Sequence, residues 1–135
     1  GILEYRYAIA PQKGTYEEEC FAERAEQMKV PLKPIQTSVP NMGKRTLPLK
    51  HSFYEVEGNV SVSCLKLAQD KSGVILRLFN LSADQERVVV KFDADVKAID
   101  VVDLKEEFIE KLEVKAGKAQ VAVGSNKICT LKIVL

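Results

Sequence analysis

The sequence predicts a mostly β protein whose larger, C-terminal part is an antiparallel, immunoglobulin-like β-sandwich. From about Ser52 onward, short apolar runs recur at the spacing of about 8–12 residues that is typical of sandwich strands. Turn-forming groups, such as residues 57–59 (Glu-Gly-Asn) and 124–126 (Gly-Ser-Asn), separate most of these runs. Several runs, among them residues 118–123, alternate apolar and polar side chains, as a strand with one buried face does.

A strand–helix–loop segment precedes these strands. Residues 3–9 alternate apolar and polar side chains and predict a first strand, which ends at a turn signal in residues 11–14. Residues 15–30 predict a helix that has Thr15 as its N-cap and acidic residues in its first turn. Residues 31–50 hold four of the chain's five prolines and predict an irregular connection.

The predicted sandwich strands follow this connection in a regular series. They comprise residues 53–56, 60–67, 74–80, 87–92, 98–104, 112–114, 118–123 and 128–134. Residues 105–112 are ambiguous, because their glutamates, lysines and leucine favour a helix of about one and a half turns between strands. We place a domain boundary near Gly58, so that residues 1–57 form one part and residues 58–135 form the sandwich.

Composition excludes several classes of partner. The chain has 20 basic and 19 acidic residues, so it lacks the basic excess of a nucleic-acid-binding protein. Its apolar runs are too short to span a membrane. The three cysteines, Cys20, Cys64 and Cys129, are odd in number and far apart, which favours reduced thiols and a cytoplasmic location over a disulfide framework.

The beginning of the chain predicts that it belongs to a longer protein. The first residues enter a strand pattern directly and include no initiator methionine. The long proline-rich connection also predicts that it packs against sequence outside these 135 residues. We therefore expect a piece of a larger polypeptide.

Residues with the chemistry of catalysis or metal binding are sparse. His51 is the one histidine, and the sequence has no Cys-x-x-Cys or His-x-x-x-His spacing, which argues against a zinc site. The aspartates between Asp93 and Asp103 lie in and around a turn, where solvated carboxylates are expected. A nucleophile elbow and a phosphate loop are also missing. We predict no catalytic and no metal-binding residue, and the sequence assigns no substrate-binding residue.

Arg77 and Asn80 are the polar residues of an otherwise apolar predicted strand. Arginine keeps its charge in proteins, so its burial requires a partner. A guanidinium can bind a carboxylate or several backbone carbonyls, either within the β region or on a neighbouring domain. This pattern favours a structural role for Arg77 over a catalytic one.

Several stretches, in their order along the chain, resemble the C-terminal region of family 38 α-mannosidases. These are LEYRYAIAPQKG (3–14), a helix leading to VPL (30–32), SFYEVEGNVSVSCLKLAQDKSGVILRLFNLS (52–82), VVDLKEE (101–107) and NKICTLKIVL (126–135). The strongest part is Leu65-Lys66 followed by ILRLFN (75–80). The chain departs from the family pattern at Gln12, at Val30 and at residues 125–127.

The resemblance implies a parent enzyme that is a zinc-dependent retaining glycosidase and hydrolyses terminal α-mannosyl linkages. The zinc ligands and the aspartate nucleophile would lie in its N-terminal catalytic and helical domains, so this chain alone would be inactive and hold no cofactor. Residues 1–57 would end a central β-sandwich, and residues 58–135 would form a small C-terminal sandwich with Arg77 and Asn80 as structural motif residues.

The implied partners are the catalytic and helical domains of the same polypeptide, and homo-oligomerisation stays open. The alternative is a free-standing immunoglobulin-like module that binds carbohydrates or proteins. The lack of tryptophan counts against a dedicated carbohydrate-binding platform.

Overall fold

The computed structural model describes residues 1–5, 7–11, 13–14, 21–36 and 47–135. These residues form one α-helix and nine β-strands. They divide into two compact units, Gly1–Pro34 and Ile35–Leu135.

The helix of the first unit, α1, spans Phe21–Lys29. Its polar side chains pair along the surface, as the Gln27 amide donates to the Glu23 carboxylate at 3.1 Å. The helix ends before Pro31, as predicted, because proline cannot continue the backbone hydrogen-bond pattern. The predicted N-cap, Thr15, lies outside the described residues. In the described part of the chain, no helix combines the length and hydropathy needed to cross a membrane.

The strand predicted over residues 3–9 does not form in the described part of this segment. The described residues between 1 and 11 form no strand, and Tyr5, Tyr7 and Ile9 are each at least 79% exposed. A strand forms only where a neighbour accepts and donates its backbone hydrogen bonds. None of the described residues pairs with this segment, so its alternating apolar side chains face solvent.

The second unit contains all nine strands. They are β1 (Tyr54–Glu57), β2 (Ser61–Leu67), β3 (Val74–Phe79), β4 (Glu86–Phe92), β5 (Ala98–Val102), β6 (Phe108–Leu112), β7 (Val114–Lys115), β8 (Lys118–Val123) and β9 (Ile128–Val134). One sheet has the order β1-β4-β8-β7 and the other β2-β3-β9-β5-β6, with antiparallel pairing throughout. The predicted antiparallel β-sandwich is therefore confirmed.

The core lies between the two sheets and follows from the alternation in the sequence. Every second residue of β8 is buried, and β3 and β9 contribute the same kind of inward-facing side chain. Each fully buried leucine, isoleucine or valine contributes about 1.5–3 kcal/mol. The fully or almost fully buried members are Leu76, Leu78, Val88, Val90, Ile99, Val123, Leu131 and Ile133.

Strand β1 precedes Gly58, pairs with β4 along its whole length and lies in the unit Ile35–Leu135. One detail of the sandwich differs from the prediction. The residues that favoured a helix form strand β6, in which Leu112 pairs with Ile99. Helix propensity amounts to less than about 1 kcal/mol per residue, so pairing with a neighbouring strand and burial override it.

Candidate functional site

Residues of the kinds that bind metals or transfer protons do not converge in the described part of the chain. No three histidine, cysteine, aspartate or glutamate side chains there are arranged to hold a metal ion. The His51 ring stacks edge-on against Phe53 at 4.7 Å, and its Nε2 lies 3.4 Å from an Asp93 carboxylate oxygen. Asp103 has a local structural role, because its Oδ1 accepts the backbone N–H groups of Lys105 and Glu107 at 2.8 Å.

Asn80 ties two connections of the sandwich together. Its side chain is 1% exposed, and its Nδ2 donates to the carbonyls of Asp84, Val123 and Gly124 at 2.7, 3.2 and 3.1 Å. Its Oδ1 accepts the backbone N–H of Ser82 at 2.8 Å. An amide nitrogen has two hydrogens, so one of them is shared between two carbonyls. Asn80 thereby joins the β3–β4 connection to the end of β8.

Arg77 lies near the centre of the five-stranded sheet. Leu76 and Leu78 point into the core, so Arg77 points to the opposite side of β3. Its Nε donates to the Thr130 hydroxyl at 3.2 Å, and Thr130 is 3% exposed. Within the described residues, the side chain of Arg77 therefore meets neither of the partners predicted for it in the β region, a carboxylate or backbone carbonyls. The hydroxyl of the residue opposite Arg77 on β9 takes that place.

The outer face of the five-stranded sheet can be followed from the strand register. Residues directly opposite each other in antiparallel strands lie on the same face. The first row contains Ser61, Phe79 and Ile128. The second contains Cys64, Arg77, Thr130, Val102 and Phe108, and the third contains Lys66, Ile75, Lys132, Asp100 and Lys111. We call these residues the outer face. Its first row has two large apolar side chains and no charge, whereas four of the five residues of its third row are charged.

A loop crosses part of the outer face. Glu106, in the β5–β6 connection, contacts Lys66 of β2 at 2.5 Å and accepts the backbone N–H of Gln69 at 2.6 Å. The sheet order places β9 and β3 between these elements, so the loop spans both strands. Ile75 is 0% exposed although it faces away from the main core, and it clusters with Ala68 and Val102. This loop covers a second, small hydrophobic cluster.

Charges around this loop are closely paired. The hydrogen bonds from Lys66 and from the Gln69 N–H lower the pKa of Glu106 below its usual range. Lys132 contacts Asp70 at 2.6 Å, and that hydrogen bond, with those from Ser72, holds the pKa of Asp70 well below its ordinary value. These carboxylates therefore stay ionised at neutral pH.

A cleft of about 360 Å³ opens at the edge of the sandwich beside β6 and β8, and its lining includes Leu104, Ile109 and Ile128. Cys129 also lines it, but burial, with the nearby charge of Glu110, raises the pKa of its thiol to about 11. A thiol needs its ionised form to act as a nucleophile, so Cys129 is inert at neutral pH. The cleft favours contact with apolar groups over covalent chemistry.

Sequence reasoning found some of these residues and missed others. It singled out Arg77 and Asn80, which lie three positions apart but make separate sets of contacts. It missed Thr130 and Glu106, because their partners are 53 and 40 residues away along the chain. The left-handed backbone of Glu106, with a φ of 71°, also leaves no clear signal in the sequence.

Comparison with known proteins adds one finding. Residues 59–131 match the family model described as the glycosyl hydrolases family 38 C-terminal beta sandwich domain. This region is more than half of the chain and contains Arg77, Asn80, Glu106 and Thr130. No curated protein and no solved structure matches the chain.

Proposed function

Because the chain belongs to the glycosyl hydrolase family 38 C-terminal β-sandwich domains, we propose that it is the non-catalytic C-terminal β region of an α-mannosidase. The parent enzyme would hydrolyse terminal α-mannosyl linkages with retention of configuration, and this region would support its catalytic domain. The observation that carries the proposal is the family match over residues 59–131.

The contacts within the sandwich support a structural role. Asn80 uses its amide to join two connections, and Glu106 fixes a loop over the outer face. Arg77 is held by a hydroxyl of the neighbouring strand. Each of these polar side chains forms bonds within the fold, whereas a catalytic group must meet a substrate.

The zinc ion of the proposed parent enzyme would lie elsewhere in the polypeptide. The described residues do not fit it, because they offer no set of three suitable ligands. We propose that the zinc site, the aspartate nucleophile and the helical domain belong to a preceding part of the same polypeptide. The exposed, alternating apolar residues of the first eleven positions support this, since a larger sheet would cover them.

A cytoplasmic location is a further part of the proposal. Among the described residues, Cys64 and Cys129 are both free thiols, and Cys129 is buried. Reduced cysteines are typical of cytoplasmic proteins.

The proposal is tested by assaying this chain with an aryl α-mannoside in the presence of zinc. We expect no hydrolysis above background, whereas an intact family 38 α-mannosidase used as the positive control turns the substrate over. Hydrolysis by the chain would contradict the non-catalytic role. The coding sequence upstream of Gly1 should encode histidine and aspartate zinc ligands. If that sequence is unrelated to the family and calorimetry shows that the chain binds mannose, the alternative of a free-standing binding module is favoured.

A further inference from the structure

Most hydrogen-bond donors of Arg77 are unused. A guanidinium has five N–H donors. The Nε–H donates to Thr130, and the described part of the chain offers no hydrogen bond or ion pair to the donors on Nη1 and Nη2. Because Nε is fixed, the two terminal nitrogens remain as a fork that matches the two oxygens of a carboxylate.

Arg77 is also the central cation of the outer face that lacks a carboxylate among the described residues. The lysines of the third row that lie nearest to it, Lys66 and Lys132, are paired with Glu106 and Asp70. Lys111 also has no ion pair among the described residues, but it lies on the edge strand β6, three strands from β3. Arg77 is therefore the cation without a carboxylate on the inner strands of this face, with the first row beside it.

Exposed large apolar side chains lie on one side of this position. Ile128, diagonal to Arg77 on the neighbouring strand β9, is 58% exposed. Farther across the same sheet, Leu104 after β5 is 63% exposed and Phe108 on β6, three strands from β3, is 66% exposed. Scattered apolar residues are ordinary on protein surfaces, but a row of them that leads away from a charged donor indicates an interaction surface. Covering such a face would desolvate Arg77, so the covering element must supply an acceptor.

We propose that the outer face binds a segment of the parent polypeptide that presents a carboxylate between apolar side chains. The carboxylate pairs with the Nη1 and Nη2 fork of Arg77, and the apolar neighbours pack on Phe79, Ile128 and Phe108. This rests on the proposed function, because it takes the occupant from the same enzyme.

Charge distinguishes this occupant from a second copy of the chain. Two copies related by a two-fold axis would bring identical faces together. With the axis at Arg77, the two guanidinium groups would approach each other without an acceptor, and burying like charges together is unfavourable. An anionic segment removes this conflict.

The test is an NMR titration of the isotopically labelled chain with phenylpropionate and, as the matched probe, uncharged phenylpropanamide. Phenylpropionate should shift the Arg77 Nε–H and the Ile128 methyl resonances. The amide, which lacks the negative charge, should bind at least about tenfold more weakly. Equal binding of the two probes, or shifts that map elsewhere, would overturn the proposal.

Three variants locate the effect. Arg77→Gln should abolish the preference for phenylpropionate, and Arg77→Lys should lose most of it because an ammonium lacks the planar fork. Arg87→Gln, which removes an exposed arginine from the other sheet, should change nothing. A dispersed amide spectrum of each variant confirms that it is folded, and binding that survives in Arg77→Gln contradicts the proposal.

Two further outcomes are kept distinct. Self-association of the chain that disappears in Arg77→Gln, measured by sedimentation, would show that the occupant is a second copy and would overturn the proposal. Hydrolysis of an aryl α-mannoside by the chain would refute the proposed function alone, since the titration does not depend on it.

Discussion

The two sheets of the sandwich share one core but differ on their outward sides. In β8, of the four-stranded sheet, buried and exposed residues alternate without exception. In β3 and β9, of the five-stranded sheet, buried residues occur on both sides, as Ile75 and Thr130 show. The first sheet therefore meets water on its outward side, whereas the second carries a side that is partly covered already.

The outward side of the four-stranded sheet is a solvated polar surface. Lys91 pairs with Glu55 at 3.1 Å, and both side chains are at least 43% exposed. Exposed ion pairs of this kind contribute about 0–1 kcal/mol. The comparison teaches that burial on an outward side occurs on the five-stranded sheet, and substitutions on the two outward sides test this directly.

The largest expected loss of stability is at Ile75. Ile75→Ala should lower the free energy of unfolding by about 3 kcal/mol, because it leaves a cavity beneath the β5–β6 loop. Two valines provide a matched pair. Val102→Ala on the outer face should lower the free energy of unfolding by about 2 kcal/mol, whereas Val89→Ala on the other sheet should lower it by less than about 1 kcal/mol. Urea unfolding measures all three variants, and equal losses of stability for the two valines would contradict the difference between the sheets.

The next effect is at Asn80. Asn80→Ala should lower the free energy of unfolding by about 2 kcal/mol, since three carbonyls lose a buried donor. Chemical denaturation of the variant measures the loss. Asn59→Ala, in an exposed turn, is the control and should be neutral. A loss at Asn80 no larger than at Asn59 would refute its role in joining the two connections.

The smallest expected loss of stability is at Glu106, and it depends on pH. Its pKa is lowered below the ordinary value of 4.5 in the folded chain, so its contribution is present above that pH and is lost as the pH falls through the folded pKa. Relative to wild type, Glu106→Gln should therefore be less stable at neutral pH, and this difference should shrink at about pH 3.

Urea midpoints at both pH values measure this difference. Glu57→Gln, at an exposed position on the other sheet, is the matched control and should show no such change. If the destabilisation by Glu106→Gln is the same at both pH values, the ion pair with Lys66 does not hold the loop.

Local patterns in the sequence were sufficient to predict the sandwich and most of the residues in its core. Alternation in residues 118–123 and 128–134 marks the inward side chains directly, because the side-chain period of a strand is two. Strand β6 was not predicted as a strand, since its composition favours a helix and its pairing with β5 is a tertiary effect.

The contacts of the candidate site were harder to predict. The partner of Arg77 depends on the register between β3 and β9, and the sequence does not state which residues face each other across strands. An irregularity between Val62 and Cys64 also shifts the alternation within β2. The ion pair between Glu106 and Lys66 could not be predicted either, because it forms only where the β5–β6 loop crosses β9 and β3 to reach β2.

The contacts of Asn80 have a consequence for biosynthesis. Asn80-Leu81-Ser82 matches the acceptor motif for N-linked glycosylation. Attachment of an oligosaccharide replaces a hydrogen on the amide nitrogen, and in the folded chain that nitrogen donates to three carbonyls within a buried site. A glycan at Asn80 and the native sandwich therefore exclude each other. Expression through a secretory pathway would make sugar transfer compete with folding, whereas synthesis in a compartment without the transferase avoids that competition.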